Sequence, residues 1–450
     1  MSVAALRASV FREYESKTPG SKSVHERAVR SLAAGVSGNL RYFPPYPLYM
    51  THGDGGYTFD VDGNRYIDCL MGNGPMLLGH RHPSVDAGIR KHQNKGSLIF
   101  NPDIIVECAE LLQELVPCAE QVRFLNSGSE AVLTAVRFAR AHTQKNKFIK
   151  FYGHYHGQDD QFLIGRGLSP TMVSGGVPPE SVANTVILEF NDIDVVERKL
   201  EEDNDIAAIL LDPSMQTGGV WPANKDYLIE LRRLSDKHGV VLIFDEVITG
   251  FRMGPGGAQK ELGVTPDLAV FAKALGNGEK IAAVVGRAAV MDAVIPGDPS
   301  SSFSAGGQKA FQSGTGNDCT TAVAAAIAAM KEYRRLDSDG AYESLDDRAR
   351  RLGEGLVRAF AGHGIRCHVN RWRSLMKVYL SDEDPSFRAL QQADNTILSM
   401  FLHALLNEGV FLIPTASNFF LSFAHSDEDV SCVIAAAEAV LEKYQFGKLA

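Results

Sequence analysis

The sequence predicts an α/β fold: a mostly parallel sheet covered by helices on both faces, followed by a smaller α+β domain. Between about Cys69 and Met330, near-continuous apolar runs of strand length alternate with helical patterns, as in parallel sheets buried on both sides. The 450 residues are also too many for one small domain. The predicted strands are Val122–Leu125, Phe148–Tyr152, Thr185–Leu188, Ala207–Leu211, Val240–Phe244 and Leu268–Ala272.

The elements on either side complete the domain organisation. The first forty residues predict a charged helix and a loop, and Gly53–Asp68 predicts two strands joined by a turn at Asp62-Gly63-Asn64. Helical patterns in the alternating region include Glu130–Ala141 and Asp226–His238. The later predictions are helices at Lys331–Arg335, Leu345–Phe360, Thr396–Leu406 and Glu428–Tyr444, with strands near Cys367 and at Leu375–Leu380. We therefore predict an N-terminal segment (1–70) that packs with the small domain, a large domain (71–330) and a small C-terminal domain (331–450).

Composition excludes several classes of function. Lys and Arg number 45 against 54 Asp and Glu, and the net charge of −9 would repel a polyanion such as nucleic acid. The chain has no apolar run near the roughly 18 residues that a membrane helix needs. It also shows no signal-peptide pattern, and its six cysteines match neither a disulfide framework nor a zinc site. We expect a cytoplasmic protein with small-molecule partners.

Asp245 ends the strongest local pattern, because the apolar run Val240–Phe244 leads directly into Asp245 and Glu246. Ligands bind at the carboxyl ends of strands in such sheets. One interpretation is magnesium binding, as in nucleotide hydrolases, but the chain contains no GxxxxGK[ST] phosphate loop. A second interpretation is a helix N-cap without a catalytic role. The third is a buried carboxylate that faces a cationic ring nitrogen.

Lys273 follows the apolar strand Leu268–Ala272 and precedes Gly276 and Gly278. A lysine directly after a buried strand is costly unless its charge is paired or its pKa is lowered. A lowered pKa is what an amine that forms a Schiff base requires. The alternative is a surface lysine that opens a turn.

Two further motifs follow strands. Ser127 and Glu130 have capping-box spacing, and Gly128 and Ser129 offer free N–H groups at a helix start, so this segment could bind phosphate or simply cap the helix. Tyr155, flanked by glycines, could stack on a flat ring. His154 and His156 have H-x-H spacing, but the sequence offers no third ligand at a suitable spacing, and we predict no metal site.

Together these segments resemble the class III pyridoxal-phosphate-dependent aminotransferases, within them the glutamate-1-semialdehyde 2,1-aminomutase-like branch. The likeness runs from about Val36 to the C-terminus. It rests on the order and spacing of Asn126-Ser127-Gly128-Ser129-Glu130-Ala131, Tyr155-His156-Gly157, Asp245-Glu246-Val247, Lys273 with Gly276-Asn277-Gly278, and Gly314-Thr315. It implies the fold type I of these transferases, with a seven-stranded sheet in the large domain.

The resemblance also implies roles for these residues. Lys273 would form the Schiff base with pyridoxal 5'-phosphate and act as the base, and Asp245 would keep the pyridine nitrogen protonated. Tyr155 would stack on the ring, with Val247 on its other face, and Thr315 would reach the phosphate of the neighbouring subunit in a homodimer with shared active sites. The implied cofactor-binding residues are Ser127, Gly128, Ser129, Tyr155, His156, Asp245, Val247, Lys273 and Thr315.

The implied activity is transfer of an amino group from a carboxylate-bearing donor to a keto or aldehyde acceptor through pyridoxamine phosphate. In the aminomutase-like segment Val36–Phe43, Arg41 is the candidate that binds the substrate carboxylate. The chain departs from that branch at Ala416–His425, which contains no acid, and at Asn73, Asp212 and Asn277. These departures favour transamination between molecules. The alternatives are a 2,1-aminomutase or an amino-acid racemase with the same cofactor.

Overall fold

The computed structural model describes residues 2–96, 100–166, 171, 173–294, 309–393 and 395–448. Its strands are β1 (Met50–Asp54), β2 (Tyr57–Asp60), β3 (Arg65–Asp68), β4 (Gln121–Leu125), β5 (Lys147–Phe151), β6 (Thr185–Leu188), β7 (Ile206–Leu211), β8 (Val241–Asp245), β9 (Leu268–Phe271), β10 (Ala282–Gly286), β11 (Cys367–Trp372), β12 (Leu375–Leu380), β13 (Val410–Phe411) and β14 (Asn418–Phe420). Its α-helices are α1 (Val3–Lys17), α2 (Pro19–Ala28), α3 (Pro83–Gln93), α4 (Ile104–Leu115), α5 (Gly128–Thr143), α6 (Pro179–Val182), α7 (Ile193–Glu202), α8 (Lys225–His238), α9 (Gly257–Leu262), α10 (Ala288–Met291), α11 (Thr320–Ser338), α12 (Ala341–Gly362), α13 (Phe387–Gln392), α14 (Asn395–Asn407) and α15 (Asp427–Lys443).

The chain divides into two compact units. One is continuous, Pro83–Tyr342, and the other combines Met1–His82 with Glu343–Ala450. We refer to them as the large and the small unit.

Two helix predictions are wrong in detail. The N-terminal helix is split into α1 and α2, because Pro19 lacks the N–H that would continue α1 and instead starts α2. The segment Lys331–Arg335 is the C-terminal part of the long helix α11 rather than a separate helix. The alanine-rich run before it contains no residue that would end a helix.

The large unit is built on a seven-stranded sheet with the order β4-β10-β9-β8-β7-β5-β6. Strands β5 to β9 pair in parallel, and β10 is antiparallel to both of its neighbours, β9 and β4. The predicted α/β class with a mostly parallel sheet is confirmed. The carboxyl ends of β4, β5, β7, β8 and β9 therefore lie at the same edge of the sheet.

The core of the large unit lies between this sheet and α5. The inner face of α5 contributes Ala131, Ala135 and Phe138, which pack with Ile243 of β8 and Val270 of β9. Strands β7 and β8 are buried along their whole length. Their near-continuous apolar runs follow from burial on both faces of the sheet. The sheet thus provides a rigid support for the turns at its carboxyl edge.

The small unit contains two further sheets. Strands β1, β2, β3 and β13 form one, and β11, β12 and β14 form the other. The turn predicted around Gly63 joins β2 to β3, and Asp60 accepts hydrogen bonds from the backbone N–H groups of Asp62 and Asn64 there. Among the residues that the structure describes, no helix is long and apolar enough to cross a membrane.

Candidate active site

The end of β8 places two neighbouring carboxylates in different environments. Glu246 accepts hydrogen bonds from the backbone N–H groups of Ala258 and Gln259 and from the hydroxyl of Thr249. It therefore fixes the start of α9. The helix N-cap interpretation of Asp245 is wrong, because a turn and not a helix follows that residue. Asp245 is buried at the carboxyl edge, where its Oδ1 accepts the N–H of Val247 at 3.1 Å.

His156 supports Asp245 from the turn after β5. Its Nδ1 lies 2.7 Å from Asp245 Oδ2, and its side chain is 1% exposed. Burial holds the pKa of His156 well below its ordinary value, and the nearby Lys150 acts in the same direction. This burial favours the neutral imidazole, whose Nδ1 can donate to Asp245 when that carboxyl is ionised.

Lys273 lies directly after β9, the neighbour of β8, and its side chain is half-buried. Burial lowers the pKa of its amine to about 8, although the charge of Asp245 opposes that shift. No hydrogen bond or ion pair engages this amine within the described ranges. Its backbone has a φ of +47°, a left-handed conformation that costs a non-glycine residue about 1–2 kcal/mol and that clusters at functional sites.

The pKa of Asp245 moves the other way. Burial raises it to about 7, while the Val247 N–H and the charge of Lys273 oppose the shift. A partner that carries a positive charge into this site would restore the ionised carboxylate. Asp245 is thus suited to bind a protonated ring nitrogen. This agrees with the interpretation of Asp245 as a buried carboxylate that faces a cationic ring.

The N-terminus of α5 supplies the site's anion-binding groups. Ser127 caps the helix, its Oγ accepting the N–H of Glu130 at 3.3 Å. The N–H groups of Gly128 and Ser129 have no acceptor in the described part of the chain, which leaves them for an anion such as a phosphate. A Cβ on Gly128 would lie 2.9 Å from the Val247 side chain, so only glycine fits here without a shift.

The turn that carries Tyr155 packs on the same helix end. Gly157 has a φ of +100°, and a Cβ there would lie 2.6 Å from Ser129 Oγ. The Tyr155 side chain remains 40% exposed, and it interacts electrostatically with Asp245. The structure therefore brings together Ser127–Ser129, Tyr155, His156, Asp245, Val247 and Lys273.

Two buried residues at this edge were missed as site residues by the sequence analysis. Asp212 follows β7, and burial together with the charge of Asp245 raises its pKa to about 6. Its backbone N–H donates to His154 Nδ1 at 3.1 Å, which leaves the proton of His154 on Nε2. That Nε2 has no partner in the structure as described. The signal that predicted Asp245, an acid directly after an apolar strand, also marks Asp212.

Thr315 makes no contact with this cluster among the described residues, and Arg41 belongs to the other unit. Arg41 belongs to the small unit, where it is exposed and donates to Ser37 Oγ at 2.6 Å. Thr315 is exposed in a turn of the large unit, and in that turn Asn317 accepts a hydrogen bond from Asn126 at 2.9 Å. Their roles toward substrate and the neighbouring subunit remain predictions.

The chemistry of the clustered residues fits pyridoxal phosphate. The free N–H groups of α5 suit its phosphate, the buried Asp245 suits its ring nitrogen, and the unpaired amine of Lys273 suits its aldehyde. Two further observations agree with a bound group here. The buried His154 Nε2 has no partner among the described residues, and a side chain at position 128 would meet Val247.

Comparison with known proteins agrees with this chemistry. The family model for class III aminotransferases matches residues 41–420. The glutamate-1-semialdehyde 2,1-aminomutase of Methanocaldococcus jannaschii is 37% identical over 437 residues, which are 95% of this chain and 99% of that protein.

Solved structures extend the likeness. An omega-transaminase from Sphaerobacter thermophilus superposes with a TM-score of 0.86 at 31% identity, covering 94% of this chain and 98% of that one. A transaminase with pyridoxal phosphate bound superposes with a TM-score of 0.84 at 30% identity, covering 95% and 98%.

Proposed function

The chain belongs to the class III aminotransferases, pyridoxal-phosphate-dependent enzymes, and we propose that it moves an amino group between a carboxylate-bearing amino donor and a keto or aldehyde acceptor. The observation that carries this proposal is the position of Lys273 and Asp245 at the ends of two adjacent strands. Lys273 offers an amine with a lowered pKa. Asp245 offers a buried carboxylate that has no cationic hydrogen-bond partner among the described residues.

The proposed residues divide the binding of the cofactor among them. Gly128 and Ser129 hold the phosphate through backbone N–H groups at the start of α5, with Ser127 fixing that helix end. Asp245 pairs with the ring nitrogen, and His156 orients the carboxylate from behind. Tyr155 and Val247 cover the two faces of the ring. When bound, pyridoxal phosphate supplies an aldehyde for imine formation and a ring that withdraws electrons.

Lys273 performs two tasks in this proposal. Because burial lowers its pKa to about 8, a useful fraction of the amine is neutral near pH 7 and can act as a nucleophile. Once a substrate amine takes its place, Lys273 is the base that removes the proton from the substrate carbon and returns a proton on the product side. Asp245 keeps its negative charge opposite the ring nitrogen throughout.

A 2,1-aminomutase is the second candidate, and the 37% identical relative of that name favours it. A racemase would use the same groups and differ in the fate of the proton. The segment Ala416–His425, which contains no acid, favours transfer between molecules over a shift within one substrate.

A half-reaction experiment separates these candidates. The purified protein, loaded with pyridoxal phosphate, is mixed with single amino donors in the absence of any acceptor. A transaminase converts the cofactor's absorbance to that of pyridoxamine phosphate and releases one equivalent of carbonyl product. Continued isomerisation of glutamate 1-semialdehyde without an acceptor would establish the aminomutase instead.

We further propose a cytoplasmic homodimer with shared active sites. The exposed position of Thr315 supports its predicted reach to the phosphate of a neighbouring subunit, and the scattered cysteines suit a reducing compartment. Sedimentation velocity tests the dimer, and a Thr315→Val variant that dimerises but binds pyridoxal phosphate more weakly is the expected result.

A further inference from the structure

Arg166 lies at the exposed side of the candidate active site. The Cζ atom of its guanidinium is 5.3 Å from the centroid of the Tyr155 ring, and the side chain is exposed. Across the described ranges of the chain, no carboxylate forms an ion pair with it. A guanidinium stacked on an aromatic ring keeps its N–H groups free at its edge, where a bidentate contact with a carboxylate can form.

The backbone beside Arg166 is held by buried groups rather than by surface contacts. The N–H of Gly153 donates to the carbonyl of Gly165 at 2.9 Å. Lys150, which is fully buried in β5, donates to the carbonyls of Ile164 at 2.7 Å and Phe162 at 3.0 Å. Because these bonds tie the segment to the end of β5, Arg166 is fixed next to the turn that carries Tyr155.

The acidic residues of the site leave Arg166 as a cation that faces an incoming substrate. Asp212 and Asp245 are both buried at the carboxyl edge of the sheet. Arg166 lies over the ring of Tyr155. The next residue along that turn, His156, contacts Asp245, so Arg166 borders the turn that reaches the buried acids. Neither acid can bind a substrate carboxylate, whereas the Arg166 guanidinium offers a cation for it at the exposed side of the site.

We propose that Arg166 binds the carboxylate of the amino donor and so selects amino acids over simple amines. This inference rests on the proposed transaminase function and adds a specificity-determining residue to it. The guanidinium is always charged, and its fork matches the two carboxylate oxygens. Arg166 would act from within the large unit, independently of Arg41.

The test compares two matched pairs of donors, alanine with isopropylamine and 3-amino-3-phenylpropanoate with 1-phenylpropylamine. Each pair differs in the carboxylate, and each half-reaction is followed by the cofactor spectrum. In Arg166→Gln, the apparent dissociation constants of the two amino acids should rise by about 10- to 100-fold, while those of the simple amines change less than about twofold. In Arg166→Lys, the dissociation constants of the amino acids should lie between those of Arg166→Gln and of the unmodified protein, since lysine keeps the charge but loses the forked guanidinium.

Arg198→Gln is the matched control, because it removes the same charge from an exposed position on α7 of the same unit. It should leave all four constants unchanged. Equal losses for amino acids and amines in Arg166→Gln, or no loss for either, would overturn the inference while leaving the transaminase in place.

A binding measurement separates this inference from the proposed function. Calorimetric titration of the pyridoxal-phosphate-loaded protein with 3-phenylpropanoate, which has a carboxylate but no amine, requires no turnover. We expect binding at least about tenfold weaker to Arg166→Gln than to the unmodified protein. Equal binding, or no binding to either protein, contradicts the role of Arg166. Failure of all four amines to convert the cofactor contradicts the proposed function instead.

Discussion

The large unit contains two desolvated lysines whose surroundings differ. Lys150 lies inside the sheet on β5, is 0% exposed, and donates to two backbone carbonyls. Lys273 lies after β9 at the carboxyl edge, is half-buried, and has no hydrogen-bond partner among the described residues. Burial lowers the pKa of Lys150 to about 7 and that of Lys273 to about 8.

The comparison shows that a lowered pKa does not by itself identify a reactive amine. Lys150 has the larger shift, yet its nitrogen is enclosed and bonded to the carbonyls of Phe162 and Ile164. Lys273 combines a smaller shift with an open approach and a carboxylate, Asp245, at the neighbouring strand end. Access and unused hydrogen-bonding capacity therefore distinguish Lys273, the proposed reactive lysine, from Lys150.

The largest expected effect comes from Lys273→Ala. Because this residue is both nucleophile and base in the proposal, turnover should fall by at least about 10³-fold while circular dichroism shows an intact fold. Borohydride reduction followed by peptide mass spectrometry should find the cofactor on Lys273 in the unmodified protein and on no lysine in the variant. A borohydride-fixed adduct on Lys150 would contradict the assignment of Lys273 as the reactive amine and Lys150 as the structural one.

The pH dependence of stability sharpens the comparison, because the contributions of Asp245 and Lys150 to the free energy of unfolding change in opposite directions with pH. In the cofactor-free protein, the pKa of Asp245 is raised to about 7, so the folded state holds a proton that the unfolded state has lost. Its contribution should fall by at most about 3 kcal/mol between pH 5 and 7. The pKa of Lys150 is lowered to about 7, and its contribution should instead rise as the pH increases above 7.

Chemical denaturation of cofactor-free Asp245→Asn and of the unmodified protein across pH 5–7.5 measures the first of these contributions. The stability difference between them should shift in favour of the variant as the pH rises. A difference that is constant over this range would show that the carboxyl titrates as it does in the unfolded chain.

The smallest effect is expected for Lys150→Met. This variant should still form the adduct on Lys273, with turnover of simple amines reduced less than about threefold. Loss of the bonds to Phe162 and Ile164 should loosen the segment that leads to Arg166, which hydrogen exchange can follow. Lys145→Met is the control, because Lys145 also donates to two carbonyls, those of His238 and Gly239, from a half-buried position where water can replace it. Equal exchange in both variants would contradict the anchoring role.

Much of the site was predictable because its residues follow apolar strands in the sequence. Asp245, Lys273 and the start of α5 each come directly after a recognisable strand, and a parallel sheet brings such positions to one edge. Strand β10 was missed, since the run Ala282–Gly286 is only five residues long and follows a glycine-rich turn.

The contacts of Lys150 and Arg166 could not be predicted in this way. Lys150 interrupts an apolar strand, and nothing in that run indicates that its amine meets carbonyls 12 and 14 residues later. Arg166 belongs to a segment without a periodic pattern, and only the tertiary structure places it over Tyr155. Long-range side-chain contacts of this kind depend on loop conformation, which sequence periodicity does not encode.

The antiparallel strand β10 has a consequence for the dimensions of the site. It lies between β9, which leads to Lys273, and β4, which leads to the start of α5. The lateral separation of these two anchoring points is therefore two inter-strand spacings, about 9.6 Å, and is set by backbone hydrogen bonds rather than by side chains. If Lys273 and the start of α5 hold the aldehyde and the phosphate as proposed, this separation sets the cofactor length that reaches both. Analogues with a longer or shorter link between aldehyde and phosphate should then bind more weakly.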